Sequence, residues 1–208
     1  MPVGSIHSLS KFPARRVTGT TERRGQRRRH AHRGAARLAL AVLLILLAAC
    51  ATNSADKLDL RTTAFRPGST IPTPYTCSGA NISPSLAWDQ PPPQTRSFVL
   101  IMDDPDAPGG TWVHWVVFNL PASARQMPEH VPLGETVAGG GRQGVNDFPM
   151  NGYGGPCPPL GRPHRYFFRL YALDTVLNLP APVHRKEVDA AMKGHVLAQA
   201  ELMGTFGR

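Results

Sequence analysis

Proline and glycine decide what this chain can fold into. There are 21 prolines and 20 glycines among 208 residues, and from Leu58 onward they cut the apolar sequence into short runs. Pro91-Pro92-Pro93, Pro105 and Pro108-Gly109-Gly110 cannot continue a hydrogen-bonded ladder, so they force loops. Between them, Ser97-Phe98-Val99-Leu100-Ile101-Met102 is a compact apolar run that reads as a strand buried on both faces. Trp112 to Asn119, rich in aromatic and β-branched residues, reads likewise, with His114 sharing a face with Val116 and Phe118 by simple alternation. His164 to Leu173 predicts a third strand, with Arg165 and Arg169 on one face and Tyr166, Phe168 and Leu170 on the other. Leu58 to Phe65 is a weaker strand candidate. At the C-terminal end Val188, Met192 and Val196 recur at i and i+4 with Ala190, Ala191, Ala198 and Ala200 nearby, which predicts a helix. Gly194 is a candidate break in it and Gly204 a candidate end. The count favours a mainly β, sandwich-like domain with one or two C-terminal helices.

The formal charge of +9 suggests a polyanion partner until the charge is located. Ten of the 23 Lys and Arg residues lie before Leu38, against one of the 14 acids, so that segment alone carries +9. The remainder has 13 of each sign and is formally neutral. The body of the protein therefore lacks the electrostatic footprint of a nucleic-acid binder.

The basic stretch runs directly into the uncharged segment Leu38 to Ala49, which has the length of a signal-peptide core and is too short to span a bilayer comfortably. Its ending, Leu47-Ala48-Ala49-Cys50, resembles the bacterial lipobox, in which the cysteine is lipidated and becomes the mature N-terminus. Polar residues from Thr52 to Lys57 follow, as a soluble tether behind an acyl anchor requires. Residues 1–49 are thus expected to be a basic arm and lipoprotein signal peptide. Residues 50–57 are the lipidated Cys50 and tether, and 58–208 are one domain, exported and held at a bacterial cell-envelope membrane. With Cys50 taken by lipid, Cys77 and Cys157 are an even pair in a compartment that permits disulfides. They are either bridged or two separate buried thiols.

Asp103-Asp104-Pro105-Asp106 gathers three carboxylates at the end of the most apolar strand. His114 lies inside an otherwise apolar strand, and His164 opens another just after the rigid Pro156-Cys157-Pro158-Pro159. Strand ends and rigid loops are where sites tend to be built. Spacing alone does not bring these residues together. Asp103 to Pro108 followed by His114-Trp115-Val116, then Gly154 to Pro159 and His164-Arg165-Tyr166, resembles the two signature regions of the phosphatidylethanolamine-binding protein family, in its bacterial Raf-kinase-inhibitor-like branch. Tyr75-Thr76-Cys77, Asn81-Ile82-Ser83-Pro84, Asn146-Asp147-Phe148 and Gly204 to Arg208 are similar to that branch too.

The resemblance implies a β-sandwich with a small pocket near one end that takes phosphate-like anions or phospholipid headgroups. It assigns Asp104, Asp106 and His114 from the first signature and Pro158, His164 and Tyr166 from the second to ligand binding. The C-terminal helix has no evident counterpart of the pocket tyrosine of animal members. Imidazole N–H groups suit phosphate oxygens, and Asp104 can fix a tautomer or favour the imidazolium. No cofactor is implied. Inhibition of a partner protease or kinase is the alternative role the family permits, with no partner identified. A metal site is disfavoured by the absence of H-x-x-x-H or C-x-x-C spacing, and a serine hydrolase by the absence of a G-x-S-x-G elbow. Gly139 to Gly144 formally fits G-x-G-x-x-G, but Val145 to Pro149 open no helix for a pyrophosphate.

Overall fold

A computed structural model describes residues 58–208. The basic arm, the signal-like segment, Cys50 and the tether to Lys57 lie outside the described residues. In chain order the strands are β1 (Leu60–Arg61), β2 (Leu86–Trp88), β3 (Ser97–Asp104), β4 (Trp112–Pro121), β5 (Gln126–Met127), β6 (Arg142–Gln143), β7 (His164–Leu173) and β8 (Val196–Phe206), with helix α1 (Arg185–Met192) between the last two. A small antiparallel sheet, β1-β2-β5, faces a large one ordered β6-β4-β3-β7-β8.

The large sheet is covered on both sides, and its composition follows from that. One face supplies Leu100, Met102, Trp115, Val117 and Phe168 to the core shared with Leu60, Leu86 and Trp88 of the small sheet. The other supplies Val99, Ile101, Val116 and Phe118 to a second cluster closed by Leu177, Val183, Val188 and Met192. All eight residues of β3 are buried, as a central strand between two layers requires. β7 alternates as its sequence predicts, with His164, Tyr166, Phe168, Leu170 and Ala172 inward and Arg165 outward.

Two expectations are corrected. Of the Leu58–Phe65 candidate only Leu60–Arg61 pairs as strand, although Phe65 still packs in the core. The C-terminal helix ends at Met192, and the segment from Val196 that was expected to extend it is the 11-residue strand β8, paired along β7. Its inward positions are Ala198, Ala200, Leu202, Gly204 and Phe206. Small residues at three of these five mute the period-two signal, and the ladder with β7 overrides the helix propensity of Ala, Leu and Glu. α1 itself is short but well bounded: Glu187 accepts the His184 amide at 3.0 Å at its start, and Gly194, at φ 85°, turns the chain just past its end.

Cys77 and Cys157 are bonded, with S–S 2.09 Å and Cα atoms 5.4 Å apart. The bridge ties the loop after the 3-10 turn Thr73–Tyr75 to the proline-rich loop before β7. Its two cysteines are 80 residues apart. Reduction is expected to lower the unfolding free energy by roughly 4 kcal/mol, the chain-entropy value for a loop of that length. A fall in denaturant midpoint on adding reductant checks this; an unchanged midpoint means the bridge restrains little.

Candidate functional site

The C-terminal end of β3 and the N-terminal ends of β4 and β7 meet at one end of the large sheet. β3 delivers two adjacent carboxylates there, both almost fully buried, and alternation turns them to opposite faces. On the helix side Asp103 is held by Arg169 of β7 at 2.5 Å and by Arg185 of α1. On the other side Asp104 is satisfied twice: Oδ1 accepts the Asp106 amide at 2.8 Å, and Oδ2 lies 2.8 Å from His164 Nδ1. The acceptor there is a carboxylate, so His164 Nδ1 carries the hydrogen.

His114 reaches the same place through an irregularity. Met102 pairs with Trp115, but Asp103 pairs with Val113, so β4 carries one residue more than β3 at this point. That residue is His114. Simple alternation puts it with Val116 and Phe118, which face the helix side; the bulge instead turns it to the inter-sheet side, edge-on to Tyr166 and Phe148 at 5.2 Å each. The loop after β6 clamps the bulge. Asp147 accepts the Val113 amide at 2.7 Å, and the His114 carbonyl receives the Gly154 amide at 2.9 Å and Asn146 Nδ2 at 3.2 Å. Asn146 also takes the amides of Phe148 and Met150 on its Oδ1, so one buried side chain shapes the whole loop.

His114 Nδ1 lies 2.6 Å from the Gly154 carbonyl, an acceptor only, so this nitrogen too is the protonated one. Burial holds the His114 pKa below its ordinary value, against the opposing pull of the Gly154 carbonyl and the Asp104 carboxylate. A lowered pKa favours the neutral ring, and with the hydrogen on Nδ1 its Nε2 is the acceptor.

Asp104, His114, Pro158 and His164 line one cavity of about 210 Å³, together with Ala107, Pro108, Trp112, Phe148, Cys157 and Pro159. Asp106 and Tyr166, assigned to the pocket by resemblance, do not line it. Asp106 turns outward into a two-pronged bond with Arg165, whose guanidinium holds its carboxyl well below the usual range, and contributes its backbone amide to Asp104 instead. Tyr166 lies wholly buried behind His114; burial and the nearby Asp104 carboxylate push its phenol up. The wall left unassigned by sequence is made by Trp112 and Phe148, which meet edge to face at 5.5 Å. Helix α1 has no part in it. Gly155 serves structure: its amide bonds Asn81 Oδ1 at 2.8 Å, and a Cβ there would fall 2.5 Å from the Tyr75 carbonyl oxygen. Pro158 is fixed through its carbonyl, which accepts Arg208 Nε at 2.7 Å. Among the described residues no group of three or more His, Cys, Asp or Glu is placed to hold a metal ion.

The family model for phosphatidylethanolamine-binding protein matches residues 61–207, and the chain belongs to that family. Its relatives include a UPF0098 protein of Methanothermobacter thermautotrophicus, 50% identical over 73% of this chain and 99% of the relative. A UPF0098 protein of Aquifex aeolicus is 48% identical over 73% of this chain and 89% of its own. Among solved structures, a putative phosphatidylethanolamine-binding protein homolog from Chlamydia trachomatis superposes with TM-score 0.68 at 38% identity, covering 74% of this chain and 99% of that one. YbcL of E. coli, described as a member of the mammalian family, gives 0.67 at 32% identity over 73% and 99%. The two signature segments and the mainly β fold they imply are thus borne out.

Proposed function

We propose that this protein is an envelope-anchored binding protein whose cavity takes a phosphate-like group. The observation that carries the reading is the meeting of His114 and His164, from different strands and each with Nδ1 committed to a fixed acceptor, in one small cavity. Locked rings present Nε2 in a set direction, which is how preorganised sites recognise a compact polar group. The volume falls below the roughly 300 to 1,000 Å³ of pockets for drug-sized ligands, so it suits a headgroup or small anion rather than a whole lipid. Binding is favoured over catalysis. Among the described residues the cavity presents no Ser or Thr, and its cysteine, Cys157, is in the disulfide.

Export and anchoring rest on the lipobox-like Leu47-Ala48-Ala49-Cys50, and a structural disulfide is at home in an oxidising compartment. A single chain of about 14 carbons gives only marginal membrane affinity, so a lipoprotein's multiple acyl chains would have to hold a body with no net charge.

Losing one hydrogen bond to a charged ligand costs about 1.5–3 kcal/mol, so His164→Ala is expected to weaken phosphate binding roughly ten- to a hundredfold. Calorimetric titration checks this; wild-type affinity in the variant would remove His164 from the site. Cys50→Ser is expected to shift the mature protein from the detergent phase to the aqueous phase in a partitioning assay. Continued partitioning into detergent after signal cleavage would contradict the anchor.

A further inference from the structure

We propose that the cavity selects phosphate-like groups that carry a titratable proton, inorganic phosphate and phosphomonoesters, over phosphodiesters and sulfate. The inference rests on the anion-binding reading above and concerns the form of the anion. Both Asp104 oxygens are occupied, by the Asp106 amide and by His164. His114 Nδ1 is occupied by the Gly154 carbonyl. The imidazole nitrogens left for an occupant are His114 Nε2 and His164 Nε2. Among the described residues no Lys or Arg lines the cavity, and its other side chains, Ala107, Pro108, Phe148 and the proline–cystine loop, are apolar, with the Trp112 indole N–H the one further donor on the wall.

A fully deprotonated oxyanion has acceptors only. To hold one on both nitrogens, both imidazoles must be protonated at Nε2, and His114 is poorly placed for that. The residue is 2% exposed, with Phe148 and Tyr166 packed near-perpendicular to its ring. The titratable groups that face it are Asp103 and Asp104 of β3, His164 of β7 and, through the Val113 amide, Asp147. Asp103 is already neutralised by Arg169 and Arg185. Asp104 is shared with His164. Tyr166 stays a neutral phenol. Burial therefore prevails and keeps the ring uncharged.

A ligand that brings its own proton meets this site without ionising His114. One P–O–H donates to His114 Nε2, and one P–O⁻ accepts from His164 when that ring holds a proton on Nε2 beside the Asp104 carboxylate. One acceptor and one donor on the protein then match one donor and one acceptor on the ligand. Phosphomonoesters, whose second pKa is about 6, offer this monoanion near neutrality. A phosphodiester or sulfate has no such proton to give, and a lipid phosphodiester headgroup shares that defect.

The test is calorimetry on the full-length protein in detergent micelles with four probes: inorganic phosphate, methyl phosphate, dimethyl phosphate and sulfate. Inorganic phosphate and methyl phosphate are expected to bind at least about tenfold more tightly than the other two. Affinity for methyl phosphate is expected to fall about tenfold per pH unit above its second pKa, with net proton uptake seen as a dependence of the heat on buffer ionisation enthalpy, whereas inorganic phosphate, whose dianion keeps one P–O–H, is expected to fall less. His114→Asn keeps a donor for the Gly154 carbonyl but removes Nε2, and is expected to abolish the preference for methyl over dimethyl phosphate while the fold survives. Equal affinity for methyl and dimethyl phosphate, or binding that strengthens as pH rises, overturns the selection while leaving an anion site in place. No binding of any probe overturns the anion reading itself.

Discussion

Strand β3 is buried on both faces along its whole length, yet it ends in two carboxylates. An unpaired buried charge costs several kcal/mol, so each acid dictates what must stand beside it. The demand is met differently on the two faces. On the helix side Asp103 draws Arg169 and Arg185 together, and these reach out again to Glu201 and Asp189, joining β7, β8 and α1 at one point. On the other side Asp104 recruits an amide from its own turn and the first side chain of β7. The same pair of neighbouring residues thereby fixes the packing of the helix and the floor of the cavity. Breaking either partner set leaves a buried carboxylate without compensation, so the end of β3 joins fold stability to site geometry.

Much of this was legible in the sequence, because long strands with strong patterning leave clear marks. The three principal strands, the alternation of β7 and the loops forced by proline all follow from residue type and spacing. Two features were hidden for definable reasons. The strand β8 carries Ala198, Ala200 and Gly204 at inward positions, where larger apolar residues would have shown the alternation. The bulge at His114 was invisible because alternation presumes an unbroken ladder, and nothing in Trp112-Val113-His114-Trp115 announces the extra residue. Its cause lies elsewhere in the chain, in Asn146, Asp147 and Gly154, whose bonds to Val113 and His114 hold it open.

The candidate site shows the same division. Asp104, His114, Pro158 and His164 stand where the two signature segments led one to seek them, but those segments did not distinguish lining residues from supporting ones. Asp106 and Tyr166 support: one caps Asp104 through its backbone, the other backs the His114 ring. Trp112 and Phe148 supply the wall. Trp112 is the more recoverable of the two, since a tryptophan 40% exposed at the first position of a strand has little packing reason to be there. Phe148 owes its place to Asn146, a buried amide whose bonding is fixed only by the folded loop.

Everything asked of the cavity depends on which nitrogen of each histidine holds the proton and which faces an occupant. Ring ¹⁵N chemical shifts of selectively labelled protein report this directly. Without ligand, His114 is expected to show a protonated Nδ1 and a bare Nε2 at neutral pH. Inorganic phosphate is expected to shift the Nε2 signals of both His114 and His164 together, along one binding curve. A His114 ring protonated at Nε2 in the empty domain, or phosphate-dependent shifts confined to other histidines, would contradict a shared site built from these two side chains.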